Sequence, residues 1–126
     1  MTLTLAATPL GNPGDASPRL KSAIESAEVI AAEDSRRVHR LASDLGVIFT
    51  AKIISFFDGN DTARTQEVLA LLQAGKRILV VSDAGMPTIS DPGFRLTRDA
   101  IALNIPIVVI PGPSAPTMAL ALSGLA

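Results

Sequence analysis

The chain has 126 residues, of which 48% are hydrophobic and 18% charged, and its 11 Lys and Arg are balanced by 12 Asp and Glu. This composition excludes an intrinsically disordered protein, and the nine glycines and nine prolines exclude a coiled coil. The net charge of −1 provides no overall field that would attract nucleic acid or an anionic membrane. Because the sequence has no cysteine, it excludes disulfides, a thiolate nucleophile and a cysteine-based metal site, and we predict no metal cofactor.

Length and hydropathy also predict the location and the number of domains. No apolar run approaches the roughly 20 residues that span a bilayer, and the stretch beginning at Met1 lacks the basic region of a signal peptide. We therefore expect a cytoplasmic protein without a membrane partner. A chain of this length is typical of one domain, and its apolar end without a polar tail suggests a cut at a domain boundary.

Five short apolar runs, rich in β-branched residues, predict β-strands. In chain order they cover residues 2–7, 29–32, 52–57, 77–82 and 106–110. The fourth and fifth are continuously apolar, which is typical of strands covered by helices on both faces of a sheet.

Helical patterns fill the intervals between these strands. Their ends are marked by cap and stop residues, which are Ser17-Pro18 and Gly46 for the first two helices, Asp91-Pro92 for the start of the fourth and Ser114 for the start of the fifth. The third helix is predicted over residues 61–74, the fourth closes near Asn104, and the fifth runs from its Ser114 cap through Thr117 to Leu122. The order βαβαβαβαβα predicts an α/β fold, a mostly parallel five-stranded sheet with helices on both faces.

Thirteen of the 18 Gly and Pro residues fall in three short windows, at residues 9–18, 85–93 and 111–116. These windows follow the first, fourth and fifth strands, so they are predicted to lie at the carboxyl edge of the sheet, where α/β proteins bind ligands. The second window belongs to a loop from Ser82 to Gly93, which is longer than a connection requires and contains Asp83, so we interpret it as a ligand-binding loop. The first matches no phosphate-binding motif and is either a ligand loop or a simple turn.

Charged residues follow the second strand. Glu33 lies about where a dinucleotide fold places its ribose-binding acid. Arg36, Arg37 and Arg40 share the outward face of the second helix, which is either a solvated face or a surface for phosphate. The neighbouring His39 is interpreted as structural or exposed rather than catalytic. Phe56 and Phe57 are interpreted as residues of the core or of a strand edge rather than as platforms for base stacking.

Four segments resemble a known family in order and spacing. They are Ala7 to Asn12, Ala32 to Arg36, Ser82 to Gly93 and Pro111 to Ala115. The sequence is similar to the N-terminal half of enzymes of the tetrapyrrole methylase superfamily, and within it to those that methylate a cytidine ribose 2′-hydroxyl in 16S rRNA of the small ribosomal subunit. The resemblance implies two α/β domains, S-adenosylmethionine bound between them, and a homodimer. Residues 1–126 would then be the N-terminal domain, which we expect to be inactive in isolation.

The resemblance also implies site residues. The methyl donor would contact Pro9, Leu10, Asp83, Ala84, Gly85, Ile89, Ser114 and Ala115, and the substrate RNA would contact Arg36, Arg37 and Arg40. The general base is not identified, and Glu33 and Asp34 are candidates by location alone.

The sequence departs from the family at several of these segments. Met86 and Thr88 replace the more usual Thr and Gly, and Phe57-Asp58-Gly59-Asn60 replaces a segment that usually contains histidines. Two alternative functions stay open, namely methylation of a tetrapyrrole macrocycle and non-catalytic binding of a nucleotide or phosphate.

Overall fold

The computed structural model of the protein describes residues 1–56, 59, 61–89 and 93–126. Within these residues five strands alternate with five α-helices. In chain order they are β1 (Thr2–Ala6), α1 (Pro18–Ser26), β2 (Val29–Ala32), α2 (Ser35–Leu45), β3 (Lys52–Ser55), α3 (Asp61–Gln73), β4 (Arg77–Val81), α4 (Phe94–Ala102), β5 (Ile107–Ile110) and α5 (Ala115–Ser123). A short 3₁₀ helix at Pro13–Asp15 precedes α1.

The strands form one sheet in the order β3-β2-β4-β1-β5, and every pairing is parallel. This arrangement confirms the predicted α/β fold class. Four of the predicted strands end or begin one or two residues inside their predicted bounds. Phe57, Asp58 and Asn60 lie outside the described residues, and so do Asp91 and Pro92.

Helices cover both faces of the sheet. Apolar residues of α1 and α2 pack on one face, against side chains such as Ile30, Leu79 and Val81. Residues of α3 and α4 pack on the other face, where Phe56 is also buried, in agreement with its predicted place in the core. The strand residues alternate between the two clusters because successive side chains of a strand point to opposite faces.

The connections that follow β1 and β4 cross the sheet in opposite directions. From β1 the chain passes through α1 to β2 on one face, whereas from β4 it passes through α4 to β5 on the other face. Since β1 and β4 are neighbours, the loops that follow them leave in opposite directions and open a crevice at the carboxyl edge.

The predicted helix ends are partly correct. Ser17 caps α1 by accepting a hydrogen bond from the Arg19 N–H at 3.2 Å, and Gly46 ends α2 as predicted. The prediction that Asp91-Pro92 begins α4 is wrong, because the helix begins at Phe94 with Gly93 as its N-cap. Ser114 does precede α5, but its side chain makes no capping hydrogen bond.

Candidate functional site

Backbone hydrogen bonds join the loops that follow β1 and β4. The Thr8 N–H donates to the Gly85 carbonyl at 3.0 Å, and the Gly85 N–H donates to the Thr8 carbonyl at 2.9 Å. The buried Thr8 hydroxyl donates to the Ser82 carbonyl at 3.3 Å, and the Ser82 hydroxyl donates to the Gly85 carbonyl at 2.9 Å. These hydrogen bonds therefore hold the loop after β1 and the loop after β4 together at the crevice.

Gly85 also lies close to the third Gly/Pro window. Its φ is +80°, and a Cβ built there would lie 3.2 Å from Leu10 Cδ2 and 3.6 Å from the Pro113 carbonyl oxygen. A Cβ at Gly112 would lie 2.9 Å from the Ala7 Cβ. Glycine is required at both positions because the three loops approach one another closely, and this convergence builds the edge of the site from all three windows.

The crevice opens into a cleft of about 850 Å³ between the first window and α2. This volume is within the range of small-molecule sites. Of the donor-binding residues that the resemblance implies, Pro9, Leu10, Asp83 and Ala84 line the cleft. Gly85, which follows Ala84 directly, is not among the lining residues, and neither are Ile89, Ser114 and Ala115; Ile89 is 60% exposed.

The arginines of α2 line the same cleft. Arg36, Arg37 and Arg40 are among its lining residues, together with Asp34, Asp44 and Asp83. The Arg37 Nε lies 3.5 Å from Asp83 Oδ2, so one ion pair connects the arginine-bearing helix to the loop after β4. The cleft thus brings the predicted RNA-contacting residues beside part of the predicted donor-binding set.

Asp34 is the N-cap of α2 and a partner of Arg36. Its Oδ1 accepts hydrogen bonds from the Arg36 backbone N–H at 2.9 Å and from Arg36 Nε at 3.1 Å, and its Oδ2 accepts from Arg36 Nη2 at 2.9 Å. The hydrogen bond from the Arg36 side chain, followed by that from the Arg36 backbone, lowers the pKa of the Asp34 carboxyl below its ordinary value. The carboxylate is therefore ionised at neutral pH and can act as a hydrogen-bond acceptor.

Glu33 and Asp34 are adjacent in sequence but lie in different places. Asp34 lines the large cleft, whereas Glu33 lines a small cavity on the other side of the sheet edge, beside Phe56 and Leu96. The two candidate bases consequently do not form a carboxylate pair, and only Asp34 shares the cleft with the arginines.

The other features considered in the sequence are His39, a metal site and membrane-spanning segments. His39 packs on Phe49 with ring centroids 5.3 Å apart, outside the residues that line the cleft. Among the residues that the structure describes, no group of three or more His, Asp or Glu side chains could hold a metal ion. None of the described helices is long and apolar enough to cross a membrane.

Sequence reasoning missed the contacts that join distant segments. The Thr8–Ser82 hydrogen bond, the Arg37–Asp83 ion pair and the place of Asp44 in the cleft were not predicted. The position of Thr8 and Ser82 at the ends of two apolar strands was a signal for the first of these. Nothing local to the sequence indicates the other two, because strand order decides which loops meet.

Comparison with known proteins places the chain in a family. Residues 2–126 match the family described as Tetrapyrrole (Corrin/Porphyrin) Methylases. The chain is 49% identical over 123 residues to ribosomal RNA small subunit methyltransferase I of Mycobacterium tuberculosis strain H37Rv. It is 47% identical over 124 residues to the Synechocystis protein of that name, and it spans 43% and 44% of these two relatives.

The fold is also similar to solved structures. Uroporphyrin-III-C-methyltransferase from Thermus thermophilus aligns with a TM-score of 0.70 and 20% identity, over 99% of this chain and 52% of that one. At this identity the likeness concerns the fold, and it agrees with the parallel sheet described above. From the match over residues 2–126, the chain belongs to the tetrapyrrole (corrin/porphyrin) methylase family.

Proposed function

We propose that the protein takes part in S-adenosylmethionine-dependent 2′-O-methylation of a cytidine ribose in 16S rRNA. The observation that carries this proposal is the 49% identity over 98% of the chain to a relative named ribosomal RNA small subunit methyltransferase I. Because the chain spans 43% of that relative, we further propose that residues 1–126 form the N-terminal domain and supply half of the donor-binding cleft. The complete enzyme would act on the small ribosomal subunit as a homodimer.

The loops at the crevice suit S-adenosylmethionine. At the junction around Gly85 the three loops approach one another closely, and the adjoining cleft has the volume for a nucleoside. We assign the donor contacts to Pro9, Leu10, Asp83, Ala84 and Gly85, with Ile89, Ser114 and Ala115 completing the set at the open side. When bound, S-adenosylmethionine supplies an electrophilic methyl group on a sulfonium centre.

The chain's own residues then orient the substrate. The arginine-bearing face of α2 would hold the RNA backbone through phosphate contacts, which position the substrate. Of the two candidate bases, Asp34 lies in the cleft, and its Oδ2 accepts one hydrogen bond from Arg36 and retains acceptor capacity. We propose that Asp34 Oδ2 accepts the hydrogen bond of the ribose hydroxyl and takes its proton.

The test is methyl transfer to RNA. Residues 1–126 are fused to the C-terminal part of the Mycobacterium tuberculosis relative and incubated with methyl-labelled S-adenosylmethionine and small ribosomal subunits. We expect label in 16S rRNA and a 2′-O-methylated cytidine on mapping by mass spectrometry. A D34N variant of the fusion is expected to lose most of this activity while it still binds RNA, and absence of label with the unsubstituted fusion would contradict the proposed function.

A second measurement examines the chain alone. Half of the proposed donor cleft is supplied by the other domain, so calorimetry should find weak or undetectable binding of S-adenosylmethionine to residues 1–126. Nanomolar affinity would contradict the proposal that the donor lies between two domains. Binding without any methyl transfer by the fusion would instead support a non-catalytic nucleotide-binding module.

A further inference from the structure

We propose that the three arginines of the cleft have different roles: Arg40 contacts a phosphate of the substrate RNA, whereas Arg36 is a positioning residue that holds the Asp34 carboxylate. This inference rests on the proposed function and deepens it, because it names the residue that recognises the RNA backbone. It also separates a substrate contact from a contact within the protein.

Arg36 is already engaged with a carboxylate. Its Nε and Nη2 donate to both oxygens of Asp34, at 3.1 and 2.9 Å. This two-pronged geometry is the one that a guanidinium uses to bind phosphate, so Arg36 cannot offer it to RNA while it holds Asp34. A phosphate approaching Arg36 would also approach the Asp34 carboxylate, and the repulsion opposes binding there.

Arg37 and Arg40 have fewer contacts with carboxylates of the described residues than Arg36 has. Arg37 has a single ion-pair contact of 3.5 Å with Asp83. For Arg40, the described part of the chain provides no carboxylate oxygen within 4.0 Å, although its side chain lines the cleft. Arg40 lies one helical turn after Arg36, on the same face of α2. The Arg40 guanidinium is therefore available to bind a ligand in the cleft.

The charge of the cleft limits the number of such contacts. Its described lining contains three arginines and three aspartates, Asp34, Asp44 and Asp83. The wall is thus balanced in charge rather than strongly basic, and most of its positive charge is matched by a neighbouring carboxylate. We expect one or two phosphate contacts here, with Arg40 the main one and Arg37 the second.

Binding of RNA at several salt concentrations tests the role of Arg40. The fusion is titrated into a labelled single-stranded fragment of 16S rRNA, and fluorescence anisotropy is followed at increasing KCl. The R40Q substitution should weaken binding about five- to tenfold and reduce the slope of log K against log salt by about 0.7, the value for one lost phosphate contact on a single strand. The R36Q substitution should leave that slope unchanged.

A matched control exists on α4. Arg98 is exposed and donates to the adjacent Asp99 at 2.9 Å, so it resembles Arg36 in being paired locally while it lies outside the cleft. R98Q should bind RNA as the unsubstituted fusion does. If R40Q behaves like R98Q, or if R36Q lowers the slope as much as R40Q, the assignment of Arg40 is overturned while RNA binding itself stands.

The role of Arg36 has a readout that needs no RNA. The titration of the Asp34 carboxyl carbon is followed by NMR in residues 1–126. R36Q removes the side-chain donors of Asp34 and should move its pKa upward, whereas R40Q should leave the titration where it is. No shift in R36Q would overturn the positioning role.

The outcomes separate the two proposals. If the unsubstituted fusion does not bind the rRNA fragment, this result contradicts both the proposed substrate and the proposed Arg40 contact. The Asp34 titration still decides whether Arg36 positions that carboxylate. If RNA binds with the expected slope change in R40Q but no methyl is transferred, the inference stands and the proposed activity fails.

Discussion

Thr88 has a backbone conformation that its side chain does not favour. Its φ is +70°, in the left-handed region, where a β-branched residue is strained. The residue lies in the loop after β4, whose start is held by the Thr8–Gly85 hydrogen bonds. The strain is therefore located in the segment that we propose to contact the methyl donor, and strained residues tend to occur at functional sites.

Replacing Thr88 by glycine should release this strain. We expect T88G to raise the free energy of unfolding by about 0.5–1 kcal/mol, because the relief exceeds the extra freedom that glycine gives the unfolded chain. Urea unfolding measures the change. Asn104, with φ of +55°, is the control, since asparagine tolerates this conformation and N104G should alter stability little. A loss of stability in T88G would show that the loop gains more from the threonine than its backbone strain costs.

Gly85 illustrates the opposite case, a residue that its surroundings require. We expect G85A to destabilise the protein by about 2–3 kcal/mol, because its Cβ would meet Leu10 Cδ2 at 3.2 Å in addition to the unfavourable φ. Gly75 has a φ of +91°, and a Cβ added there would have no atom within 4 Å, so it is the matched control and should lose only about 1 kcal/mol as alanine. Urea unfolding compares the two. Equal losses would mean that contact with Leu10 is unimportant, and L10A should partly rescue G85A.

At the scale of elements, Glu28 fixes the amino edge of the sheet. Its carboxylate accepts a hydrogen bond from the Arg77 N–H at 2.9 Å and lies 3.5 Å from Lys76 Nζ. Its backbone N–H donates to the Arg77 carbonyl, and its carbonyl accepts from the Lys52 N–H. One residue between α1 and β2 thus aligns the beginnings of β3 and β4 with β2.

This contact makes stability depend on pH. The hydrogen bond from the Arg77 backbone is the main cause that lowers the pKa of Glu28 below its ordinary value of 4.5. A carboxyl whose pKa is lower in the folded state contributes stability above the ordinary pKa, and the contribution is lost as pH falls through the folded value. The thermal midpoint of E28Q should consequently fall less than that of the unsubstituted chain between pH 5 and pH 3. An equal fall in both proteins would contradict the role of Glu28.

The elements themselves were largely predictable from sequence because their signals are local. The apolar run of β4 and the Ser17-Pro18 cap depend only on near neighbours. The start of α4 was not predictable from Asp91-Pro92, since Asp-Pro is as typical of a turn as of a helix cap. Strand order depends on pairings between distant segments, so the sheet edge could be predicted as the site but not the contacts across it, such as Arg37 with Asp83.

At the scale of the whole molecule, α5 and the edge strand β5 carry exposed apolar residues. No residue of α5 is buried, and the helix contains no charged residue. Leu122 is 87% exposed, and Val108 and Val109 of the edge strand β5 are exposed as well. Apolar surface of this kind on a single chain favours association.

We expect residues 1–126 to self-associate with rising concentration, as measured by sedimentation velocity. L122K should reduce this association and leave the urea midpoint nearly unchanged, because the exposed side chain contributes little to folding. Ile48 is 89% exposed but lies in the loop between α2 and β3, so I48K is the control and should associate as the unsubstituted chain does. A monomer at all concentrations would contradict the prediction.

The central place of β1 in the sheet has a consequence for how the protein is made. The partners of β1 begin at Arg77 and Ile107, so β1 cannot pair until the ribosome has synthesised the chain beyond Arg77. The bridge between Thr8 and Gly85 can likewise form only after the loop that follows β4 has been synthesised. Contacts of such long sequence separation slow folding. The crevice therefore takes shape only once β4 has docked beside β1.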